Sequence, residues 1–498
     1  MEGWFSLCFI ALGTPLALWL LKLAGAGGKN KPQKHQLPPG PWTLPIIGSL
    51  HHVVSLVPHR KITQLCRRYR PMMHLKLREV EAVVISSAEA VAQVMKTNDL
   101  AFATRPGTPT QDIAGCGGRC IIFAPYCDHW RQMRKVCIVE LLSSMQVRRM
   151  ESIRPEEVGN LLADIATAAA SGDSINISEK MMELNNVVSQ AVFGGRFTQQ
   201  DEYIRELDVV LTLLGGFCLV DLFPSSRLAR SYSHMQCIIA NVIEERKAAR
   251  ATGHGASSTH DEDLLDVLLR LQNDDSLAFP LTTESICAVL FDIFSGATDT
   301  TGTIFEWAMS ELVRHPETMF KAQLEIRKVL GQDRTIIKNS DLGNLHYMRM
   351  VIKEVLRLHL PAPLIPRMAR MDCKIMGYEM LKGATILINV FAVSRDPKYW
   401  KHPEAFLPER FENNNLDYNG THFGFTPFGA GRRQCPGMLF SASTLEITLA
   451  NLLYHFDWVL PGGASPESLD MSKKFGMTVG RSSDLQLIAI PRGCIKDM

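Results

Sequence analysis

The sequence predicts a mainly α-helical chain with a small β-rich part, on three observations. Thr282 to Arg314 is about 33 residues of helix-compatible sequence, opened by a threonine that can cap its first amides and stopped ahead of Pro316; at ~1.5 Å per residue it spans roughly 50 Å. Ile153 to Phe279 alternates amphipathic helical stretches with breaks, and Met438 to Leu453 is a further helical run. Met73 to Leu77 and Ala82 to Ser86 read as short strands, followed by helical spacing from Ala88 to Thr97. Of the 498 residues 46% are hydrophobic, ample for a sizeable core, and a formal charge of +2 gives no reason to invoke nucleic acid. The 12 cysteines contain no Cys-x-x-Cys pair, so neither a zinc ribbon nor a disulfide scaffold is indicated, and the nearest pair, Cys116 and Cys120, is incidental.

In chain order, Gly3 to Leu21 carries no charge and then meets Lys22, Lys29, Lys31 and Lys34. Residues 1–21 therefore read as a membrane anchor with a cytosolic domain behind it. A cleaved signal peptide would carry its positive charge before the apolar stretch, where this chain has Glu2. Residues 22–41 form a linker and a proline-rich hinge, Leu37-Pro38-Pro39-Gly40-Pro41, which cannot be helical. In a cytosolic domain the sequons at Asn176 and Asn419 stay unmodified. Ala101 to Ala124 is dense in Gly, Pro, Thr and Cys and reads as a long loop; Ala251 to Asp261 reads as an exposed linker. The apolar run Val209 to Phe223 suits either a lid over a pocket or a segment dipping into a membrane.

Three stretches carry chemistry. The long helix holds Gly296-Ala297-Thr298-Asp299-Thr300-Thr301, an acid and three hydroxyls inside an apolar context. Buried polar groups are costly unless partnered, and a threonine bonded to the carbonyl four residues earlier can bend a helix. Glu354 and Arg357 stand at i and i+3, a spacing that usually yields a surface salt bridge. Phe428 to Gly437 is a glycine-rich, basic loop delivering Cys435 just ahead of Pro436, a residue suited to a first helical position. Amides and the positive end of that helix would keep the sulfur anionic, Gly431 and Gly437 would let backbone approach a large flat group, and Arg432 and Arg433 would suit its carboxylates. An unpaired cysteine is otherwise most often a small buried hydrophobe.

The order Phe428, Gly431, Arg433, Cys435, Gly437 resembles, at all five fixed places, the Phe-x-x-Gly-x-Arg-x-Cys-x-Gly signature of the cytochrome P450 family of haem-thiolate monooxygenases. Trp130 with Arg134, the Asp299-Thr300 cluster, Glu354 with Arg357, and Arg410 within Pro408-Glu409-Arg410-Phe411 resemble further family motifs in the family's order. The resemblance implies a single mainly helical catalytic domain over 42–498 with a small β-rich part, holding haem b (iron protoporphyrin IX) and using O2. By it Cys435 is the axial ligand of the haem iron. Phe428 and Arg433 belong to the cofactor loop, Trp130 and Arg134 reach one propionate, and Arg367 reaches the second, although Leu360 and Met368 depart from the usual wording around it.

On the same resemblance Asp299 relays protons, Thr300 is the alcohol that stabilises the reduced oxygen, and Ala297 narrows the groove by one methyl where glycine is commoner. Glu354, Arg357 and Arg410 form a buried structural triad. Ile113, Phe294, Ala297, Ala362, Ile365, Met477 and Thr478 face the pocket, nearly all apolar, which implies a lipophilic substrate held by shape. The loop Ala101 to Ala124 would close over it. Lacking a Gly-x-Gly-x-x-Gly after a strand, the chain would take electrons from NADPH through NADPH-cytochrome P450 reductase, docked on a basic face of Arg131, Lys135 and Arg432 at the endoplasmic reticulum membrane.

Leu-Pro-Pro-Gly-Pro-Trp, Ala-Pro-Tyr-x-Asp-x-Trp-Arg-Gln and Phe-Gly-Met-Thr-Val look like the plant microsomal branch, with Cys127 in place of a usual glycine. Within it the chain is most similar to terpenoid oxidases of grasses, which implies hydroxylation of a sesqui- or diterpenoid in defence metabolism. Phenolic, indole and alkaloid substrates stay open. An O2-independent haem-thiolate isomerase or dehydratase would typically lack the Asp299-Thr300 pair, and a non-enzymatic haem protein would need neither that pair nor a reductase face.

Overall fold

The computed structural model describes residues 36–492 apart from 184, 215–225, 253–261, 275–276 and 332–333. The predicted anchor of residues 1–21, the hinge before 36, most of the Ala251 to Asp261 linker and the second half of the Val209 to Phe223 run lie outside the described residues. Among the described residues no helix is long and apolar enough to cross a membrane.

Helices dominate, as expected. In chain order α1 (Pro58–Tyr69) precedes β1 (Met72–Leu77) and β2 (Val80–Ile85); α2 (Asp128–Val136), α3 (Ile153–Ser171), α4 (Gln200–Leu214) and α5 (Ser226–Ala251) lead to α6 (Thr283–Arg314). Then come α7 (Pro316–Leu330), α8 (His346–Leu358), β3 (Leu364–Met368), β4 (Thr385–Asn389), α9 (Met438–His455), and the hairpin of β5 (Lys473–Phe475) and β6 (Val479–Arg481). The strands of the main sheet lie in the order β1-β2-β4-β3, with β2 parallel to β4 and the outer pairs antiparallel. Its two faces pack separate apolar clusters, Ile85, Ile386 and Ile388 on one side and Val84 and Leu387 on the other. The alternation follows from side chains pointing to opposite faces of a strand.

The central helix α6 is 32 residues long and starts where its cap predicts, the Thr282 hydroxyl accepting the Ser285 amide at 3.2 Å. It ends at His315, which precedes Pro316 and is pushed out of helical geometry. Both predicted strands exist, beginning one and two residues earlier than expected. Two local expectations need correction. Ala88 to Thr97 is α-helical only to Ala92 and then winds into a wider turn. Within the Ala101 to Ala124 loop, Pro109–Ala114 is helical because Thr108 caps it, its hydroxyl accepting the Gln111 amide at 3.2 Å.

The end of the hinge is packed onto the sheet. Pro39 O accepts the His74 amide at 2.9 Å, and a β-carbon on Gly40 would lie 2.1 Å from the His74 carbonyl oxygen, so only glycine permits this approach.

The Glu354 triad is a buried lock, not a surface pair. Glu354 accepts from Arg357 Nε at 2.7 Å, Arg357 Nη2 at 2.8 Å, Arg410 Nε at 3.0 Å and the Leu407 amide at 2.9 Å. Arg357 also donates to the carbonyls of Ser394, Pro403 and Ala405, so one side chain ties α8 to the irregular chain that follows β4. Removing one partner of a buried pair strands the other charge. Arg357→Ala is expected to cost about 3–5 kcal/mol of stability, and Arg357→Lys to recover little because it cannot bond bidentately; a thermal melt of the alanine variant that overlays the parent would refute the lock.

Candidate active site

The loop from Phe428 to Gly437 is tied at its base, the Cys435 amide donating to Phe428 O at 2.9 Å. Helix α9 begins at Met438 with Gly437 as its cap, so Pro436 lies in the preceding turn rather than at the first helical position. That corrects the expected origin of an anionic sulfur. Burial pushes the Cys435 thiol up, against a pull downward from the Gly437 amide and the Arg134 guanidinium. The side chain is nevertheless exposed to solvent contact. Surrounding protein thus desolvates the sulfur without covering the residue, which leaves it open to a ligand.

The glycines divide the work differently from expectation. A β-carbon on Gly431 would meet Met95 O at 2.3 Å and Asp99 Oδ1 at 2.8 Å, so that glycine makes room for neighbouring protein. At Gly437 a β-carbon would lie 4.0 Å from the Cys435 sulfur. Phe428 is half-buried against Tyr418, with ring centroids 5.4 Å apart.

Four guanidiniums, Arg105, Arg134, Arg367 and Arg433, converge beside the loop. Arg433 is lowered to about 9, by burial first and then by Arg105 and Arg134, and Arg105 to about 10, by burial first and then by Arg134 against Cys120; Arg367 is lowered too, by burial and then by Arg105 and Arg433. Their described hydrogen bonds go to backbone carbonyls and not to carboxylates. Arg433 donates to Ala103 O at 2.7 Å, Ile121 O at 3.1 Å and Ala124 O at 2.6 Å; Arg105 to Ile122 O at 3.0 Å and to Pro366 O; Arg134 to Gln434 O; Arg367 to Pro366 O at 3.3 Å. Trp130 points its indole N–H at Ile121 O, 3.0 Å away, with the Arg433 guanidinium 4.0 Å from its ring centroid. Trp130 and Arg134 thus share a helix face as expected, while each polar end rests on protein.

An uncovered cysteine beside guanidiniums that, among the described residues, donate to carbonyls and not to carboxylates fits an iron porphyrin with two propionates. Arg105 was not foreseen; it lies in a loop with no motif around it, and only folding brings it here. The expected basic outer face is partly neutralised, since Arg432 pairs with Asp99 at 2.8 Å and Arg131 with Asp128, leaving Lys135 exposed.

On α6, Thr300 donates to Gly296 O at 2.6 Å, the back-bond its position suggested. Asp299 accepts from Thr478 Oγ1 at 2.8 Å. Its carboxyl is raised to about 6, by burial first and then by Asp208, against Thr478 and Lys474. Two turns earlier Asp292, raised by burial to about 7, accepts the amides of Ile121 and Ile122, so it clasps the loop whose carbonyls hold Trp130 and Arg433. Sequence reading passed over Asp292 as context, although an acid in an apolar helix was the available signal.

The pocket residues separate. Ile365 on β3 is half-buried beside the cysteine loop, its Cδ1 4.0 Å from where a β-carbon of Gly429 would stand. Ala297 lines a hollow with Val188, Thr301 and Phe440. Ile113 and Met477 are half-buried against the main core, and Ala362 is exposed. Phe294 is fully buried in an aromatic cluster, 5.2 Å between centroids from Tyr203 and 6.2 Å from Phe193, so it supports a wall from behind. Thr478 is engaged by Asp299 rather than free to face a ligand.

A family model described as Cytochrome P450 matches residues 38–483. The chain is 42% identical over 496 residues to ent-isokaurene C2/C3-hydroxylase of Oryza sativa subsp. japonica, covering 95% of this chain and 96% of that one. It is 40% identical over 500 residues to 5-epiaristolochene 1,3-dihydroxylase of Nicotiana tabacum, covering 98% of each. A solved zebra fish cytochrome P450 with abiraterone aligns over 88% of this chain and all of that one, with a TM-score of 0.76 and 26% identity. The match runs through nearly every described residue, the cysteine loop and its cationic rim included, and so the chain belongs to the cytochrome P450 family and is a monooxygenase whose cofactor is haem b and whose co-substrate is O2.

Proposed function

We propose that this protein hydroxylates a sesqui- or diterpenoid at the endoplasmic reticulum membrane, with electrons from NADPH delivered by NADPH-cytochrome P450 reductase. The observation that carries the chemistry is the uncovered Cys435 beside four arginines that, among the described residues, donate to carbonyls and not to carboxylates. The terpenoid reading is supported by relatives named for ent-isokaurene and 5-epiaristolochene, and by the apolar character of two expected pocket positions, Ile365 beside the cysteine loop and Ala297 on the hollow along α6. Membrane association is supported by Trp42, Ile46, Ile47, Val54 and Leu56, apolar yet exposed and close in sequence to the apolar Gly3 to Leu21 segment.

Cys435 would hold the iron, Arg134 and Arg367 with Trp130 would face the propionates, and Arg433 would brace the loop through its three carbonyls. Haem, when bound, activates dioxygen with two electrons so that one oxygen atom enters a C–H bond and the other leaves as water. The apolar wall orients the substrate and excludes water. Asp299, titrating near 6, can both hold a proton on its carboxyl and give it up close to neutrality, which suits an acid feeding protons inward past the Thr300 hydroxyl.

Cys435→Ala is expected to lose the haem pigment and the red-displaced Soret band of the reduced, carbon-monoxide-treated protein, while keeping its helical circular dichroism; retention of pigment and turnover would sink the reading. Among terpenes, flavonoids and indoles, diterpene and sesquiterpene hydrocarbons are expected to give the spectral shift that marks loss of iron-bound water, and a panel in which only flavonoids or indoles do so points to another substrate class. Asp299→Asn is expected to lower turnover about 100-fold or more with the Soret band intact. Because the folded protein keeps the Asp299 proton to higher pH than the unfolded chain, ionising this carboxyl removes stability as pH rises through about 6. The asparagine variant should therefore melt higher than the parent at about pH 8 and alike at about pH 4; the reverse order would contradict the burial of this acid.

A further inference from the structure

The β5–β6 hairpin reaches the catalytic helix at its tip and is held there from three directions. The Met477 amide donates to Leu211 O on α4 at 3.1 Å, the Val479 amide to Pro361 O at 3.0 Å, and Trp307 Nε1 of α6 to Val479 O at 3.1 Å. Between these anchors Thr478 Oγ1 donates to Asp299 Oδ2 at 2.8 Å, while the neighbouring Thr300 hydroxyl is turned to Gly296 O at 2.6 Å. Acid and alcohol are therefore each bonded elsewhere and not to one another. The charged groups acting on Asp299 come from the same two elements that flank it, Asp208 on α4 and Lys474 on the hairpin, both exposed.

We infer that Thr478 is a latch on the proton-delivering acid, holding the Asp299 carboxylate toward the hairpin until a substrate pressing on the Met477–Thr478 tip displaces it. This rests on the acid role proposed above for Asp299. Released from Thr478, the carboxylate loses a donor that favours its ionised form, takes a proton from solvent on the Asp208 side, and can turn toward Thr300 to deliver it. Substrate shape is thereby coupled to proton supply. Thr478 is a positioning residue in this scheme, acting only through Asp299.

The test uses the haem-loaded, substrate-free protein and follows, by infrared difference spectroscopy against pH, the carboxylic C=O band that Asp299→Asn abolishes. Thr478→Val removes the donor at nearly constant shape and should move the midpoint up by about one pH unit; Thr478→Ser should keep it. Asp208→Asn, on an exposed residue that folding does not need, should move it down by a smaller amount. In turnover with NADPH, a plant reductase and a diterpene hydrocarbon, Thr478→Val should release more peroxide per NADPH consumed than the parent, with Thr478→Ser restoring coupling. An unmoved midpoint in Thr478→Val, or an equal shift in Thr478→Ser, overturns the latch. A midpoint that moves while coupling and its pH profile stay fixed overturns instead the acid role of Asp299.

Discussion

Gathering four guanidiniums at one place inside a protein is unfavourable on two counts, loss of hydration and mutual repulsion, and the structure around Cys435 is arranged to tolerate both. Backbone carbonyls of Ala103, Ile121, Ala124, Ile122, Pro366 and Gln434 take the N–H groups, giving partial negative charge without a full carboxylate. In the proposed reading a dianionic cofactor would bring the charge that neutralises the cluster. Around Glu354 the same problem has the opposite solution, since Arg357 and Arg410 share its buried carboxylate. One set of buried arginines is thus paired within the polypeptide and holds the scaffold, and the other donates to carbonyls and would be neutralised by the proposed cofactor.

Helix α6 connects the two walls of the site through two acids about two turns apart. Asp292 grips the amides of Ile121 and Ile122, in the loop that positions Trp130 and Arg433, and Asp299 grips the hairpin through Thr478. Both carboxyls are raised by burial, and each accepts from a segment outside α6. An apolar helix of this length is a rigid crossbar, and these two polar interruptions are points at which the loop and the hairpin are fixed to it.

Much of this was legible in the residues. The start and end of α6 follow from Thr282 and Pro316, the two strands from their composition, and the Glu354 triad from fixed spacings that match a family. Less legible were features set by distant contacts. Gly431 was read as clearance for a flat cofactor, yet it clears Met95 and Asp99, more than 300 residues away in sequence. Phe294 was read as facing the pocket, yet Phe193 and Tyr203 enclose it. Arg432 was read as a free docking charge, yet Asp99 neutralises it.

The amino-acid sequence by itself determined the class of chemistry and the local elements, because a thiolate loop, a capped helix and an acid-alcohol pair depend on neighbours a few residues apart. Which arginines surround the sulfur, and that a hairpin threonine holds the helix acid, were decided only by tertiary structure: Arg105 meets Arg367, and Thr478 meets Asp299, across 262 and 179 residues of chain. Burial and hydrogen bonding at that separation depend on how the whole core packs, which no local pattern encodes.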